Sequence, residues 1–315
     1  MLFFRSVPAE IIQVNEKTAV DLYIKRKDKL VPYLQKDAMY TEVNFSEIVS
    51  AGITKFYVRG KDKARLEKYM TRYIDRILTN PEVPSKVKAN AFYASSSHTM
   101  KKALEDPRAE HLDEMKRSVK PMLNNIMKNE SILKDLFSIT QHDYYTYTHS
   151  VNVGVFATAL AVRYYSRNGN KLDLSMEKLS YGYFLHDIGK SRIPLDVLNK
   201  PGPLTEEEWV VMKMHPEWGY SILMETGHLT DEAAYIALQH HEQIDGSGYP
   251  FGKKGSSIHP CARICAIADT FDALTSVRPY KDAVSPYEAL KLMQKQTIYD
   301  FDYNLLTTFI KLLAP

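Results

Sequence analysis

Thiols are almost absent from the chain: Cys261 and Cys265 are the two cysteines in 315 residues, too few for a disulfide framework. Their four-residue spacing inside an apolar run reads as small core-filling side chains, and the expected compartment is the reducing cytoplasm. Long hydrophobic runs are lacking as well. No stretch approaches the roughly 20 apolar residues that span a bilayer, and the opening Met1 to Arg5 is too short for a signal h-region. Charge of one sign is also missing. With 41 Lys and Arg against 38 Asp and Glu, the net charge of +3 is too mild to draw a nucleic acid or a membrane surface. Any bound anion must therefore be held by a local site. Hydrophobic residues at 44% and charged residues at 25% exclude disorder, collagen-like repeats and a membrane bundle.

What is present divides at Asn80-Pro81-Glu82-Val83-Pro84, where two prolines interrupt the pattern. Residues 1–80 alternate apolar and polar positions over 20–25 and 53–58, which predicts strands. Helices are expected over 44–49, stopped by Gly52, and over 61–78. The run Lys25 to Lys29 reads as a solvated hairpin tip. Beyond residue 80 the pattern predicts helices over 85–105, 108–128, 131–140, 144–167, 175–187, 205–226, 230–242, 258–275, 285–296 and 301–313. The fold class expected is mainly α, an all-helical domain behind a small α+β domain. The domains are placed at 1–80 (accessory α+β), 81–130 (helical linker) and 131–315 (all-helical).

Five histidines, His149, His186, His215, His240 and His241, fall on apolar faces of the expected helices. His149 shares a stripe with Val153, Phe156 and Leu160, so its imidazole points at the core. Asp269 ends the nearly uncharged run Ile264 to Ala268, where an unpaired carboxylate is costly. His186 and Asp187 are adjacent and permit a bridging carboxylate. His240 and His241 diverge by about 100° on a helix, so both reach one ion only if the helix ends there, which Gly246 and Gly248 permit. A His/Asp set without thiolate suits Fe, Mn, Ni, Co or Zn in a catalytic role.

The ordered string His186-Asp187-Ile188-Gly189-Lys190, Ile193-Pro194, Lys200-Pro201-Gly202, His215-Pro216, His240-His241-Glu242, Asp245-Gly246-Ser247-Gly248-Tyr249-Pro250, Asp269 to Thr275 and Arg278-Pro279-Tyr280-Lys281 closely resembles the HD-GYP family. These are metal-dependent cyclic dinucleotide phosphodiesterases of the HD superfamily, and the resemblance covers roughly residues 130–300. It implies that His149, His186, Asp187 and Asp269 surround one divalent ion, Fe or Mn foremost. Asp187 would bridge to a second ion held by His215, His240 and His241. A metal-bridging hydroxide would be the nucleophile. Lys190, Arg278, Lys281 and Tyr249 would contact substrate, with Asp187, Lys190 and Tyr249 catalytic. The implied reaction is hydrolysis of cyclic di-GMP to pGpG and on to GMP. The rival readings are the same chemistry on cyclic GMP-AMP and a catalytically weak cyclic di-GMP receptor.

Asp272, one turn from Asp269, is expected to orient a ligand or to tie down the loop. Gln243 stands where arginine is common in the family, and Ser191 where an aliphatic residue is common. Tyr145 stands where some members carry a glutamate that helps to hold a third ion, and a phenol is a poor substitute at neutral pH. The implied partners are cyclic di-GMP and a signalling protein, met through the N-terminal domain or the Gly-Tyr-Pro loop, with a homodimer admitted.

Overall fold

A computed structural model describes residues 4–27, 29–128, 136–137, 146–167, 175–227, 230–277 and 283–313. The chain divides into two compact units, Met1–His98 and Thr99–Pro315. The first is built on a four-stranded antiparallel sheet in the order β1-β6-β3-β4. Its strands are β1 (Phe4–Pro8), β3 (Leu22–Arg26), β4 (Lys29–Leu34) and β6 (Lys55–Arg59). A small ladder joins β2 (Glu16–Lys17) to β5 (Met39–Tyr40). Alternation drives the sheet: Leu22 and Ile24 of β3 and Phe56 and Val58 of β6 are buried. Helix α1 (Glu42–Ser50) begins where the Thr41 hydroxyl accepts from the Asn44 amide. Helix α2 (Lys63–Thr79) buries Leu66, Met70, Ile74 and Ile77 along one stripe.

The strands expected over 20–25 and 53–58 appear as β3 and β6, each starting two residues later and ending one residue later. The hairpin tip is found where Arg26 faces Lys29. Strand β4 gave no sequence signal because it opens on charge and carries Pro32. At the sheet edge the missing proline N–H costs little.

Helix α3 (Ser85–Glu105) carries residues of both units. The second unit continues through α4 (Ala109–Lys128), α5 (Thr146–Arg167), α6 (Met176–Phe184), α7 (Leu195–Leu198), α8 (Glu206–Met212), α9 (His215–Thr226), α10 (Asp231–Gln239), α11 (Pro260–Thr275), α12 (Pro286–Asp300) and α13 (Tyr303–Leu313). Its core is the stripe of α5, with Val153, Phe156 and Leu160 packed against Ile264, Ile267 and Phe271 of α11 and Phe309 of α13. The Phe156, Phe271 and Phe309 rings meet edge to face at 5.2–6.3 Å. The chain is thus mainly helical, with strands confined to the first unit among the described residues. None of its described helices is long and apolar enough to cross a membrane.

Three expected helices end differently. The one placed over 175–187 stops at Phe184, so His186 and Asp187 lie in a turn before a short 3-10 segment, Ile188–Arg192. The one placed over 205–226 is two helices, because Pro216 has no N–H to carry α8 onward and instead opens α9. The one placed over 230–242 ends at Gln239, as the histidine pair requires. Most of the helix expected over 131–140 lies outside the described residues.

The 3-10 segment packs so tightly on α9 that a Cβ on Gly189 would collide with the His215 carbonyl oxygen, whereas a Cβ on Gly202 would meet nothing within 4 Å. Gly189→Ala should therefore cost about 2–3 kcal/mol by overpacking, and Gly202→Ala should stay within about 0.5 kcal/mol. Urea unfolding midpoints of the two variants check the contrast.

Candidate metal centre

Helix ends place most of the donors. His186 follows α6, His215 opens α9 just past α8, and His240 and His241 follow α10. The last carbonyls of a helix have no intrahelical partner, and the histidines use them. The Nδ1 of His186 meets the Tyr183 carbonyl at 2.9 Å, that of His215 the Met212 carbonyl at 2.7 Å, and that of His240 the Ala237 carbonyl at 2.8 Å. In each pair the carbonyl lies three residues back. Nδ1–H is the donor, so Nε2 keeps its lone pair and faces inward. His149, within α5, is fixed instead by a carboxylate: its Nδ1 lies 2.7 Å from Asp272 Oδ2.

The donors converge on Asp187. Its Oδ2 lies 3.5 Å from both His149 Nε2 and His186 Nε2, and 2.6 Å from Lys190 Nζ. Its Oδ1 lies 3.3 Å from His215 Nε2 and 3.7 Å from His240 Nε2. Asp269 closes the arrangement, with Oδ1 3.1 Å from His149 Nε2 and Oδ2 3.7 Å from His241 Nδ1. Two donor groups result, Asp187 with His215, His240 and His241, and His149 with His186 and Asp269, each gathered within 4.8 Å.

Burial sets the protonation states. It pushes the imidazolium of His215 down to about 3 and depresses His186 and His241, so these rings are neutral and can donate lone pairs. Burial would raise the Asp187 carboxyl, but the Lys190 ammonium foremost outweighs it and the group is held well below the carboxylate range. Asp269 is likewise held low, by His149 against its own burial. At His149 burial favours the neutral ring, yet hydrogen bonds to Asp269 and Asp272 win and raise it to about 10. A cation entering this group would displace that proton.

The residues fit a divalent cation on their own evidence. His186 Nε2 and Asp187 Oδ1 are buried without a hydrogen-bond partner, which is costly unless something else satisfies them. The Nε2 atoms of His215 and His240 approach to 3.3 Å, which two inward lone pairs tolerate only with a positive charge between or beside them. Nitrogen and carboxylate donors without thiolate suit a borderline or hard ion.

The segment after the histidine pair forms one wall. Glu242 accepts from the amides of Phe251 and Lys253, both at 2.8 Å, and so ties the Gly248-Tyr249-Pro250 loop to the end of α10. Only glycine fits at 248, where a Cβ would strike the backbone of 241–243. The Tyr249 ring stacks on His241 at 4.7 Å and 25°. Its phenol is kept protonated by burial, followed by the nearby Asp269 and Asp187 charges.

All seven expected donors are therefore brought together, with Lys190 against them and Tyr249 beside them. Arg278, Lys281 and Tyr145 lie outside the described residues. Asp272 does orient a donor. Two residues escaped the sequence reading. Asn152 donates to Asp272 Oδ1 at 2.7 Å; its signal was a buried amide one turn after His149 on the apolar face of α5. Glu242 belongs to the His240-His241-Glu242 motif, but its hold on two loop amides has no pattern in the sequence.

A family model described as HD domain matches residues 108–305. The chain is 35% identical over 187 residues, 59% of its own length and 44% of the relative's, to a Pseudomonas aeruginosa protein named cyclic di-GMP phosphodiesterase PA4108. It is 51% identical over 119 residues, 38% of its length and 32% of the other's, to the cyclic di-GMP phosphodiesterase response regulator RpfG of Xanthomonas campestris pv. campestris. A third relative is 3'3'-cGAMP-specific phosphodiesterase 2 of Vibrio cholerae, 50% identical over 99 residues, 31% of this chain and 19% of that one. The chain thus spans less than half the length of these relatives. Among solved structures, Bd1817, an HDG"Y"P protein from Bdellovibrio bacteriovorus, matches over 99% of both chains with a TM-score of 0.65 and 19% identity, which shows a shared fold.

Asp272 fixes the ring of His149 without belonging to either donor group. Outer carboxylates of this kind typically carry 10–100-fold in metal affinity. Asp272→Ala should weaken Mn²⁺ binding by about that factor while helix content stays unchanged; competition against a chelating dye, with circular dichroism alongside, measures both.

Proposed function

The chain belongs to the HD domain family, and on that premise we propose that it is a metal-dependent phosphodiesterase hydrolysing cyclic di-GMP to pGpG and on to GMP. The observation that carries the reading is the division of one buried carboxylate, Asp187, between two histidine groups: Oδ2 toward His149 and His186, Oδ1 toward His215 and His240. We assign His149, His186, Asp187 and Asp269 to one ion and Asp187, His215, His240 and His241 to the other. The ions are Fe or Mn foremost, with Ni, Co or Zn admitted by the donor set. A pair of bound divalent ions would supply Lewis acidity toward a phosphate oxygen and acidify a water to near neutral pH.

The chain's own groups supply the rest. Lys190 holds an ammonium at the rim of the carboxylate cluster, with 16% of its side chain exposed, where it can neutralise charge developing on a phosphate oxygen. Tyr249, protonated and braced against His241, can donate its hydroxyl to the same phosphate. Arg278 and Lys281 are assigned to the substrate's phosphate and guanine edge on their place in the motif. In the reaction, water adds at phosphorus, the P–O3' bond breaks, and a proton ends on the ribose 3'-oxygen.

A second substrate, cyclic GMP-AMP, is favoured by the 50% identity over 99 residues to a protein named for it. The cytoplasm is the proposed location, in keeping with two buried free cysteines. The first unit, the half-exposed Phe251 beside the loop and a second copy of the chain are the proposed routes to protein partners. We place the count at two ions because Tyr145 offers a phenol where a third would need an anionic oxygen.

Metal analysis of anaerobically purified protein, with chromatography of products from cyclic di-GMP and cyclic GMP-AMP, tests site and substrate together. In the same assay Asp187→Ala should fall to background turnover and lose bound metal. A folded Asp187→Ala protein with near wild-type rate would overturn the assignment.

A further inference from the structure

A cyclic dinucleotide carries two phosphates and two bases, and a metal cluster with Lys190 engages one phosphate. Arg278 and Lys281 are assigned to a phosphate and one guanine edge, which leaves the second base and the phosphate beside it open to further partners. The lip formed by α8 offers them. Lys213, at the C-terminal end of α8, holds its ammonium 5.7 Å from the centroid of the Tyr249 ring, and that ring stands against both His241 and His215. Lys213 is exposed and pairs with no carboxylate among the described residues. Trp209 is four residues earlier, so it lies on the same side of the helix one turn away, about 6 Å along the axis. It leaves 47% of its surface in water, a large apolar face unused by the core.

We infer that Trp209 and Lys213 form a nucleotide shelf at the mouth of the metal centre, Trp209 stacking on a purine of the substrate and Lys213 meeting the phosphate beside it. The inference rests on the phosphodiesterase reading and adds a base-recognition subsite to it. An indole face and a point charge one turn apart are the two elements that hold single nucleotides on protein surfaces. Of the α8 carboxylates, Glu208 is engaged elsewhere, by Lys200 at 2.6 Å and by the Thr205 amide at 2.7 Å. Because the shelf touches base and distal phosphate, it contributes to binding and leaves the bond-breaking step alone.

The chain has two tryptophans, Trp209 and Trp218, so Trp218→Phe leaves Trp209 as the sole indole reporter. Titrating cyclic di-GMP into that protein, stripped of metal so that nothing turns over, should quench its fluorescence saturably. In the metal-loaded enzyme Trp209→Ala should raise KM about tenfold, the scale of one stacked base, with kcat within about twofold. Trp209→Phe should restore most of the loss. Lys213→Ala should raise KM by a similar factor, and Lys213→Arg should recover it. Unchanged KM in Trp209→Ala, or calorimetric binding of cyclic di-GMP without quenching, overturns the shelf and leaves the indole as a protein-docking face. If the wild-type chain neither binds nor hydrolyses cyclic di-GMP, that substrate is wrong, and GMP becomes the probe: saturable quenching by GMP supports the shelf, and none overturns it.

Discussion

The hydrogen bond from an imidazole Nδ1 to the carbonyl three residues before it, made three times, is the constraint on which the centre depends. At His186, His215 and His240 it fixes tautomer and ring direction at once, leaving each Nε2 to face inward. It also satisfies helix-end carbonyls that would otherwise need water. The fold must therefore stop three helices at the right residues. It does so with a turn after Phe184, with Pro216 opening α9, and with α10 ending at Gln239. Placement of donors and termination of helices are one problem solved together.

That coupling explains what the sequence could and could not disclose. The residue types were legible: His149 on an apolar stripe, Asp269 after an uncharged run and the His240-His241 pair each break a pattern that burial enforces. The helix stops were less so. Over 175–187 the apolar periodicity runs past Phe184, and nothing local says that His186 leaves the helix, because its reason for leaving is a partner in space. Pro216 was readable in principle, yet the periodicity on either side of it masked the break. In the first unit β4 stayed hidden, since an edge strand tolerates the charge and proline that disguise it. Asn152 and Glu242 share the same limit: each acts on a group beyond its immediate neighbours in sequence, 120 residues away for Asn152 and 9 and 11 residues away for Glu242.

Electrostatics then decides how so many polar groups survive in the core. A carboxylate as deeply buried as Asp187 would cost several kcal/mol without compensation. Lys190 provides it at 2.6 Å, and the neutral His215 ring beside Oδ1 adds no charge of its own. The two halves differ in kind. On the His149 side two carboxylates already hold a proton on the ring, whereas on the other side burial keeps the His215 and His241 rings neutral. A cation entering the first must compete with a proton, and one entering the second meets free lone pairs. The two groups should therefore differ in how strongly pH governs their loading.

The loop wall shows how this rigidity reaches the surface. Glu242 fastens the loop through two amides, the tight backbone approach at Gly248 fixes its path, and Tyr249 lies flat on His241. A side chain that stacks on His241 and meets the exposed Lys213 ammonium joins the buried cluster to the rim. Lys213 follows from the same geometry: it sits two residues before His215, so the break that aims one imidazole inward also carries an ammonium to the mouth. Substrate contacts built on that break inherit its precision, since α8 cannot shift relative to the cluster without moving the carbonyl of Met212 that holds the His215 ring.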